Sequence, residues 1–156
     1  MSDSLPPKDC RGYFMLPQHT EHGENGYYTY GTPEHGAGQY AHPRLLSLIC
    51  MIEHIWQGRD NRKIGIGNMS LFDGVKYKGH DGHRSGLDVD VRLFRKDGQE
   101  AGVDRFDKHY DRDATALLID MFFHSGMVQV IYFNGDIPGV TPRKHHDNHF
   151  HVTVKP

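Results

Sequence analysis

Apolar and polar residues alternate regularly over residues 87–93, where leucine or valine occupies every second position. Successive side chains of a β-strand point to opposite faces, so this period of two predicts a strand with one apolar face. The opposite face carries Asp88, Asp90 and Arg92. Glycines in the preceding segment, residues 79–86, allow sharp turns, and we therefore expect a loop that leads into this strand.

A second stretch with the same period spans residues 149–154. A phenylalanine and two valines fall on one face and are expected to point into the core, whereas His149 and His151 share the other face. Two strands whose polar faces carry aspartate and histidine offer the oxygen and nitrogen ligands that a metal site requires. The two stretches are therefore predicted to form one site.

A first helix is predicted after His42, with Pro43 at its first position and Gly58 at its end. Proline is tolerated there because the first amides of a helix have no partner within the helix. The residues expected to form its buried face recur at helical spacing: Leu45, Leu48, Ile49, Ile52, Ile55 and Trp56.

A second helix is predicted from Ala114 to His124, capped by Asp111 or Asp113 and stopped by Gly126. An aspartate just before a helix can accept a hydrogen bond from an unpaired amide of the first turn. Four residues are expected to face the core: Leu117, Leu118, Met121 and Phe122.

Further strands are expected at Tyr27–Tyr30, at Lys63–Gly67 and at Met127–Phe133, the last being almost wholly apolar and hence predicted to be a central strand. Strands and helices do not alternate in regular βαβ repeats, so the predicted fold class is α+β, with a small antiparallel sheet that carries the site. Helices and long loops flank the sheet. The length predicts a single domain over residues 1–156, with residues 1–12 as an irregular tail.

Composition and charge argue against several classes of function. The net charge is −2, which gives no indication of a nucleic-acid partner, and no apolar run is long enough to span a membrane. The first residues lack a basic segment followed by an apolar one, so no export signal is expected there. Cys10 and Cys50 fit no metal-ligand spacing, and two unpaired thiols are favoured over one disulfide.

Thirteen histidines are unusual for 156 residues, and several lie in the two strand regions. His83, Asp90 and His151 would supply three zinc ligands and leave a fourth position for water, as in catalytic zinc sites. His149 would then lie beside the metal as an acid/base group or as a group that stabilises the transition state. Strand geometry alone does not separate Asp90 from Asp88, which shares its face. The chain has neither a cysteine pair nor a His-Glu-x-x-His helix, which excludes a zinc finger and a thermolysin-like protease.

The spacing of these residues resembles the zinc peptidases that include lysostaphin, the D-Ala-D-Ala metallopeptidases and the hedgehog domain. Within that group, the two motifs at residues 79–90 and 146–151 are most similar to the penicillin-insensitive murein endopeptidases. The resemblance extends over roughly residues 40 to 155. It implies one zinc ion per chain, bound by His83, Asp90 and His151.

The same resemblance assigns roles to the neighbouring residues. It implies that His149 is catalytic, that His80 and His146 line the cleft, and that Asp90 rather than Asp88 is the ligand. Asp88 would orient a neighbouring group. Ser70 lies in a segment similar to the loop before the first metal motif, and its position alone suggests a contact with substrate.

The resemblance implies a zinc-dependent hydrolase of the peptide cross-links in bacterial peptidoglycan, acting on the D-alanyl–meso-diaminopimelyl bond. The alternatives are a D,D- or L,D-carboxypeptidase, an endolysin that cleaves L-Ala-D-Glu, and a zinc-binding module without catalysis. A histidine-rich metal nuclease is disfavoured because the charge is near neutral and no basic groove is indicated.

The expected partners are peptidoglycan peptide stems, and the expected place of action is the bacterial periplasm or cell wall. Without an export signal, we expect delivery by a secretion system or by phage lysis, or a mature form whose signal was cleaved. A secreted toxin would also require an immunity protein.

Overall fold

The computed structural model of the protein describes residues 4–18, 25–76, 78–79 and 82–156. Its helices are α1 (Pro43–Gln57) and α2 (Arg112–His124), with a short 3₁₀ turn at Phe72–Gly74. Its strands are β1 (Phe14–Met15), β2 (Tyr27–Thr29), β3 (Tyr40–Ala41), β4 (Ile64–Ile66), β5 (Asp88–Arg92), β6 (Val128–Tyr132) and β7 (His149–Val154).

The main sheet has five strands in the order β2-β4-β5-β7-β6, and β1 pairs with β3 in a separate two-stranded sheet. Strands β4, β5, β7 and β6 pair antiparallel, whereas β2 pairs parallel to β4 at one edge. The α+β class is confirmed, with the antiparallel part of the sheet carrying the polar face of interest. The sequence did not indicate the parallel pairing, because apolar and polar residues alternate in the same way in parallel and antiparallel strands.

One face of the sheet is apolar and contributes to a buried cluster that also contains residues of both helices. Phe122 of α2 packs edge-on against Phe150 of β7, with ring centroids 5.9 Å apart. Trp56 of α1 stacks on Phe94, just after β5, with centroids 4.4 Å apart. Burial of such aromatic and aliphatic side chains is the main stabilising term, so the helices fix the sheet from one side and leave its polar face for other uses.

Both predicted helices are confirmed. Helix α1 begins and ends as expected, whereas α2 begins at Arg112, two residues before its expected start. His42 is the N-cap of α1 and accepts a hydrogen bond from the Arg44 amide, while Asp111 is the N-cap of α2 and accepts one from the Ala114 amide. Two residues expected in the core are not there, since Ile55 is 43 % exposed and Leu117 is 36 % exposed. Both line an open cleft formed at the surface by residues of α1 and α2.

The apolar strand β6 is an edge strand, and the prediction of a central position was wrong. Within the sheet it pairs with β7, and its register shifts between Val128 and Val130. An isolated bridge from Tyr132 to Thr141 covers its end. Helix α2 packs against this strand. The apolar residues of β6 are therefore explained by contact with a helix and not by neighbouring strands on both sides.

The N-terminal segment, residues 4–12, has no helix, and its hydrogen bonds run to the body of the protein. The Asp9 carboxylate is buried and accepts hydrogen bonds from the Arg11 guanidinium and from the Asp73 amide. Cys10 and Cys50 are both free and exposed. Within the described part of the chain, neither helix is long and apolar enough to cross a membrane.

Candidate metal centre

The register of β5 against β7 brings the two sequence motifs together. Asp90 lies directly opposite His151. Because alternate residues of a strand share a face, the neighbouring pairs Asp88–Thr153 and Arg92–His149 project to the same side. Three cross-strand pairs therefore form a polar row on the face away from the helices.

His83 reaches this row from the loop that precedes β5. Its Nε2 lies 3.2 Å from Asp90 Oδ2, and its ring centroid lies 4.9 Å from that of His151. The ligand atoms of His83, Asp90 and His151 all lie within 4.8 Å of one another, and the three residues are buried. This cluster could hold a metal ion with two nitrogen donors and one oxygen donor.

The loop that carries His83 is attached by contacts that the sequence did not reveal. The Arg11 guanidinium donates to the carbonyl of Arg84 at 2.9 Å, and the His42 amide donates to the carbonyl of Gly86 at 2.9 Å. Gly86 has a φ of +70°, and a Cβ there would lie 2.6 Å from the Tyr13 ring. The loop is thus held by Arg11 of the N-terminal segment, by close approach to Tyr13 and by the backbone of His42.

Asp88 contacts the cluster through His151. The two ring nitrogens of His151 lie against different carboxylates, with Nδ1 3.0 Å from Asp90 Oδ1 and Nε2 2.9 Å from Asp88 Oδ1. Asp88 also accepts hydrogen bonds from the hydroxyls of Thr153 and Ser85. A carboxylate on the outer nitrogen of a metal-binding histidine fixes its ring and tautomer, and Asp88 is placed to act in this way.

These contacts shift the pKa values of the cluster in opposite directions. Burial opposes the charged forms, but hydrogen bonds and charge interactions together outweigh it. Both aspartates interact with His151, and His83 adds to the effect at Asp90, as the hydroxyls of Thr153 and Ser85 do at Asp88. As a result, the pKa of both Asp88 and Asp90 lies below the ordinary value, and the pKa of His151 rises to about 9. A metal that binds here must displace the proton of His151, while both carboxylates are already ionised.

His149 lies beside the cluster without joining it. Its Nε2 is 3.6 Å from Asp90 Oδ1, and its Nδ1 lies 2.7 Å from the side-chain oxygen of Asn148. Burial lowers the pKa of His149, and nearby histidines lower it further against the opposing effect of Asp90. The ring is therefore neutral near pH 7, and with Nδ1–H donated to Asn148, its Nε2 carries a lone pair towards the cluster.

His146 presents a second neutral imidazole. Its ring centroid is 4.8 Å from that of His149, and its Nδ1 lies 2.8 Å from the carbonyl of Lys144. A carbonyl only accepts, so Nδ1 carries the proton and Nε2 is free of it. Burial lowers the pKa of His146, which favours this neutral form.

A cleft of about 390 Å³ opens over the cluster. Besides His83, Asp90, His146, His149 and His151, its lining residues are Gly79, Gly82, Arg143, Lys144 and His145. Ser70 is not among them: it is fully buried, donates to the Tyr40 carbonyl and accepts from Arg11. His80 lies outside the described residues.

Sequence reasoning missed Tyr132, Arg143 and Lys144. Tyr132 pairs with His151 across β6 and β7, and the two ring centroids lie 5.9 Å apart. The Arg143 guanidinium lies over the Tyr132 ring at 4.5 Å. Arg143 and Lys144 could have been found as a basic pair just before the histidine motif. Tyr132 could not, because its place beside His151 depends on the register of an edge strand.

The sequence of the chain matches a known family of peptidases. The model of the family described as penicillin-insensitive murein endopeptidase matches residues 24–121 of the chain. This is more than half of the 156 residues, and the chain belongs to that family. The resemblance deduced from the motifs is confirmed, and the protein is a peptidase whose substrate class is murein, the bacterial peptidoglycan.

The matched segment contains His83 and Asp90 and ends before the second motif. It is the pairing of β5 with β7 that joins His149 and His151 to the matched part. A comparison with curated proteins gives no match.

Proposed function

We propose that the protein is a zinc-dependent endopeptidase that hydrolyses the D-alanyl–meso-diaminopimelyl cross-link of peptidoglycan. The observation that supports this best is the buried His83–Asp90–His151 cluster at the floor of a histidine-lined cleft, in a chain of the murein endopeptidase family. The choice of bond comes from the family, whose substrate includes a residue of D configuration on the acyl side.

The donor set fits zinc. Two imidazole nitrogens and one carboxylate oxygen match the ligands that catalytic zinc sites use, and no protein group that would close the fourth position is found among the described residues of the cluster. A bound zinc ion supplies a Lewis acid that polarises a peptide carbonyl and makes hydroxide available near neutral pH. Asp88 holds the outer nitrogen of His151 and thereby fixes the direction of Nδ1.

His149 is the proposed general base. Its neutral ring is oriented by Asn148, and Nε2 can take a proton from the attacking water and give it to the departing amine. His146 would accept a hydrogen bond from a backbone N–H of the substrate with its own Nε2. His80 is proposed to line the cleft with it, on the strength of the family resemblance.

Mass spectrometry of muropeptides tests the proposal. Purified sacculi are digested with the zinc-loaded protein, with a chelator-treated sample as control. We expect cross-linked dimers to disappear while tetrapeptide monomers accumulate, and we expect the chelator to stop this. Release of terminal D-alanine with intact dimers would identify a carboxypeptidase instead, and release of peptides that lack L-alanine, which stays on the glycan, would identify cleavage after L-alanine.

A variant separates catalysis from metal binding. His149→Ala should retain zinc and lose activity by roughly 10²- to 10⁴-fold, the usual range for a general acid or base. His124→Ala, which removes an exposed histidine on α2, should leave both unchanged. Zinc-loaded protein that cleaves no peptidoglycan bond would indicate a binding module without catalysis.

The substrate places the proposed action at the bacterial cell wall, which in Gram-negative bacteria lies in the periplasm. An immunity protein is expected only if the enzyme serves as a toxin against other bacteria.

A further inference from the structure

The cleft above the metal cluster is basic at one rim. Arg143 and Lys144 both line it and are both exposed. Among the described residues, neither forms an ion pair with a carboxylate. The acidic residue of the same turn, Asp147, is engaged by Arg105 at 2.8 Å. Two cations are therefore available at the rim for a negatively charged ligand.

The turn that carries these cations is held by Asn134. The side-chain oxygen of Asn134 accepts from the Arg143 amide at 2.8 Å, and its backbone amide donates to the His146 carbonyl at 3.0 Å. Between them, His145 has a φ of +68°, a left-handed conformation that a non-glycine residue adopts at a cost. The backbone at residues 143–146 is therefore fixed at both ends rather than left as an open loop.

Tyr132 links this turn to the metal cluster. The Arg143 guanidinium packs on the Tyr132 ring, 4.5 Å from its centroid. The same centroid lies about 6 Å from the ring centroids of His146 and His151. One aromatic ring therefore separates the guanidinium from a residue of the metal cluster. Stacking on an aromatic face holds an arginine in place while its N–H groups remain free to bind a planar anion.

We propose that Arg143, assisted by Lys144, binds the free carboxylate of the amino acid that donates the scissile nitrogen. The proposal rests on the proposed function and adds the group that selects the substrate. In the D-alanyl–meso-diaminopimelyl bond, the carbon attached to the scissile nitrogen also carries a carboxylate. That carboxylate therefore lies close to the cluster whenever the bond is aligned for hydrolysis. Arg143 is placed to meet it, since its guanidinium contacts the Tyr132 ring, whose centroid lies 5.9 Å from that of His151.

Two cross-linked peptides test this proposal directly. They differ at one group, which is a carboxylate in one peptide and a carboxamide in the other, on the carbon next to the scissile nitrogen. The wild-type protein should favour the carboxylate by roughly 10- to 100-fold in kcat/KM, as expected for a charge-assisted hydrogen bond. Arg143→Gln should abolish the preference by raising KM for the carboxylate peptide alone, and Arg143→Lys should restore part of it.

Arg59→Gln is the matched control, since it removes the same charge at an exposed position after α1 and away from the cleft. It should keep the wild-type preference. Equal loss on both peptides in Arg143→Gln, or an unchanged preference, would overturn the assignment. The assignment would also be overturned if turnover changed only when carboxylates on the acyl side of the bond were amidated.

Binding measurements keep this proposal separate from the proposed function. The amine-side product, a short peptide with diaminopimelate in its carboxylate or carboxamide form, is titrated into the protein by calorimetry. If wild-type protein cleaves neither cross-linked peptide but binds the carboxylate product more tightly, and Arg143→Gln removes that difference, the peptidase proposal fails and the carboxylate site stands. Equal binding of the two products would reject the carboxylate site itself.

Discussion

The two sides of the metal cluster are built in different ways. Asp90 and His151 lie on adjacent strands, where backbone hydrogen bonds and a buried apolar face fix their register. His83 lies on a loop, and its position depends on contacts to Arg11, Tyr13 and His42. The strand side is thus determined by the same interactions that form the core, whereas the loop side is attached to it separately.

The loop side depends partly on residues beyond the matched family segment. Residues 24–121 match the family, and the Asp9–Arg11 pair precedes them. Arg11 donates to the Arg84 carbonyl next to His83, so the N-terminal segment helps to place a proposed metal ligand.

Removal of a strand ligand should have the largest effect. Asp90→Ala leaves the cluster with two donors, and we expect zinc binding to be abolished. Asp88→Ala removes only the partner of His151 Nε2 and should weaken zinc binding by about 10- to 100-fold. Zinc content after dialysis, followed by titration with a competing chelator, measures both. The reverse order of effects would show that Asp88 is the ligand.

Glycine substitutions in the loop should have an intermediate effect. A Cβ at Gly86 would lie 2.6 Å from the Tyr13 ring and 2.9 Å from the His42 amide, so Gly86→Ala must displace the loop and with it His83. We expect zinc affinity to fall at least tenfold, as for loss of a group that orients a ligand. Gly79→Ala is the control: its φ is also positive, at +80°, but its Cβ would meet nothing within 4 Å.

The control should cost only the strain of a left-handed alanine, about 1–2 kcal/mol of local stability. Chelator titration of both variants and their urea unfolding midpoints separate the two effects. Equal zinc affinities would mean that the contacts of the loop with Tyr13 and His42 do not set the position of His83.

The pH dependence of the N-terminal contact should be the smallest effect. Burial disfavours ionised Asp9, but hydrogen bonds from Arg11 and from backbone amides outweigh it and lower the pKa of Asp9. A lowered folded pKa stabilises the protein above the unfolded value, about 3.9 for aspartate, and that contribution is lost as pH falls through the folded pKa. Asp9→Asn should therefore destabilise the protein by about 1–3 kcal/mol at pH 7, and by progressively less below about pH 4.

Urea unfolding of the two proteins between pH 3 and pH 7 checks this expectation. Asp113→Asn is the control, because that carboxylate is 97 % exposed and its loss should change stability by no more than about 0.5 kcal/mol. A difference between Asp9→Asn and wild type that stays constant across the range would mean that the ionised form of Asp9 contributes nothing.

The fold was predictable where a local pattern determines it. Strands β5 and β7 and both helices follow from periodicity and capping residues alone. The edge position of β6 and the parallel pairing of β2 were not predictable in this way, because both depend on which elements pack together over long distances in the chain. Ile55 and Leu117 show the same limit, since both line an open cleft whose position depends on how the two helices pack.

The same distinction applies to the residues of the site. Alternation on two strands and the family spacing indicated Asp90, His149 and His151, and the structure brings them together with His83. Arg11 and Tyr132 carry no motif, and their importance appears only once the N-terminal segment and the edge strand are placed. Whether each residue has its proposed role stays a prediction for the variants above.

The pairing of β5 with β7 has a consequence for how the length of such a chain can change over evolution. The ligands on these strands meet because of cross-strand register, which does not depend on the length of the connecting chain, residues 93–148. Lengthening a surface loop costs little closure entropy, so insertions in the loops of that connection, outside α2 and β6, should be tolerated. One residue inserted within Asp88–Arg92 would instead turn Asp90 towards the core. Relatives should therefore vary in size between the two motifs and keep the spacing within each.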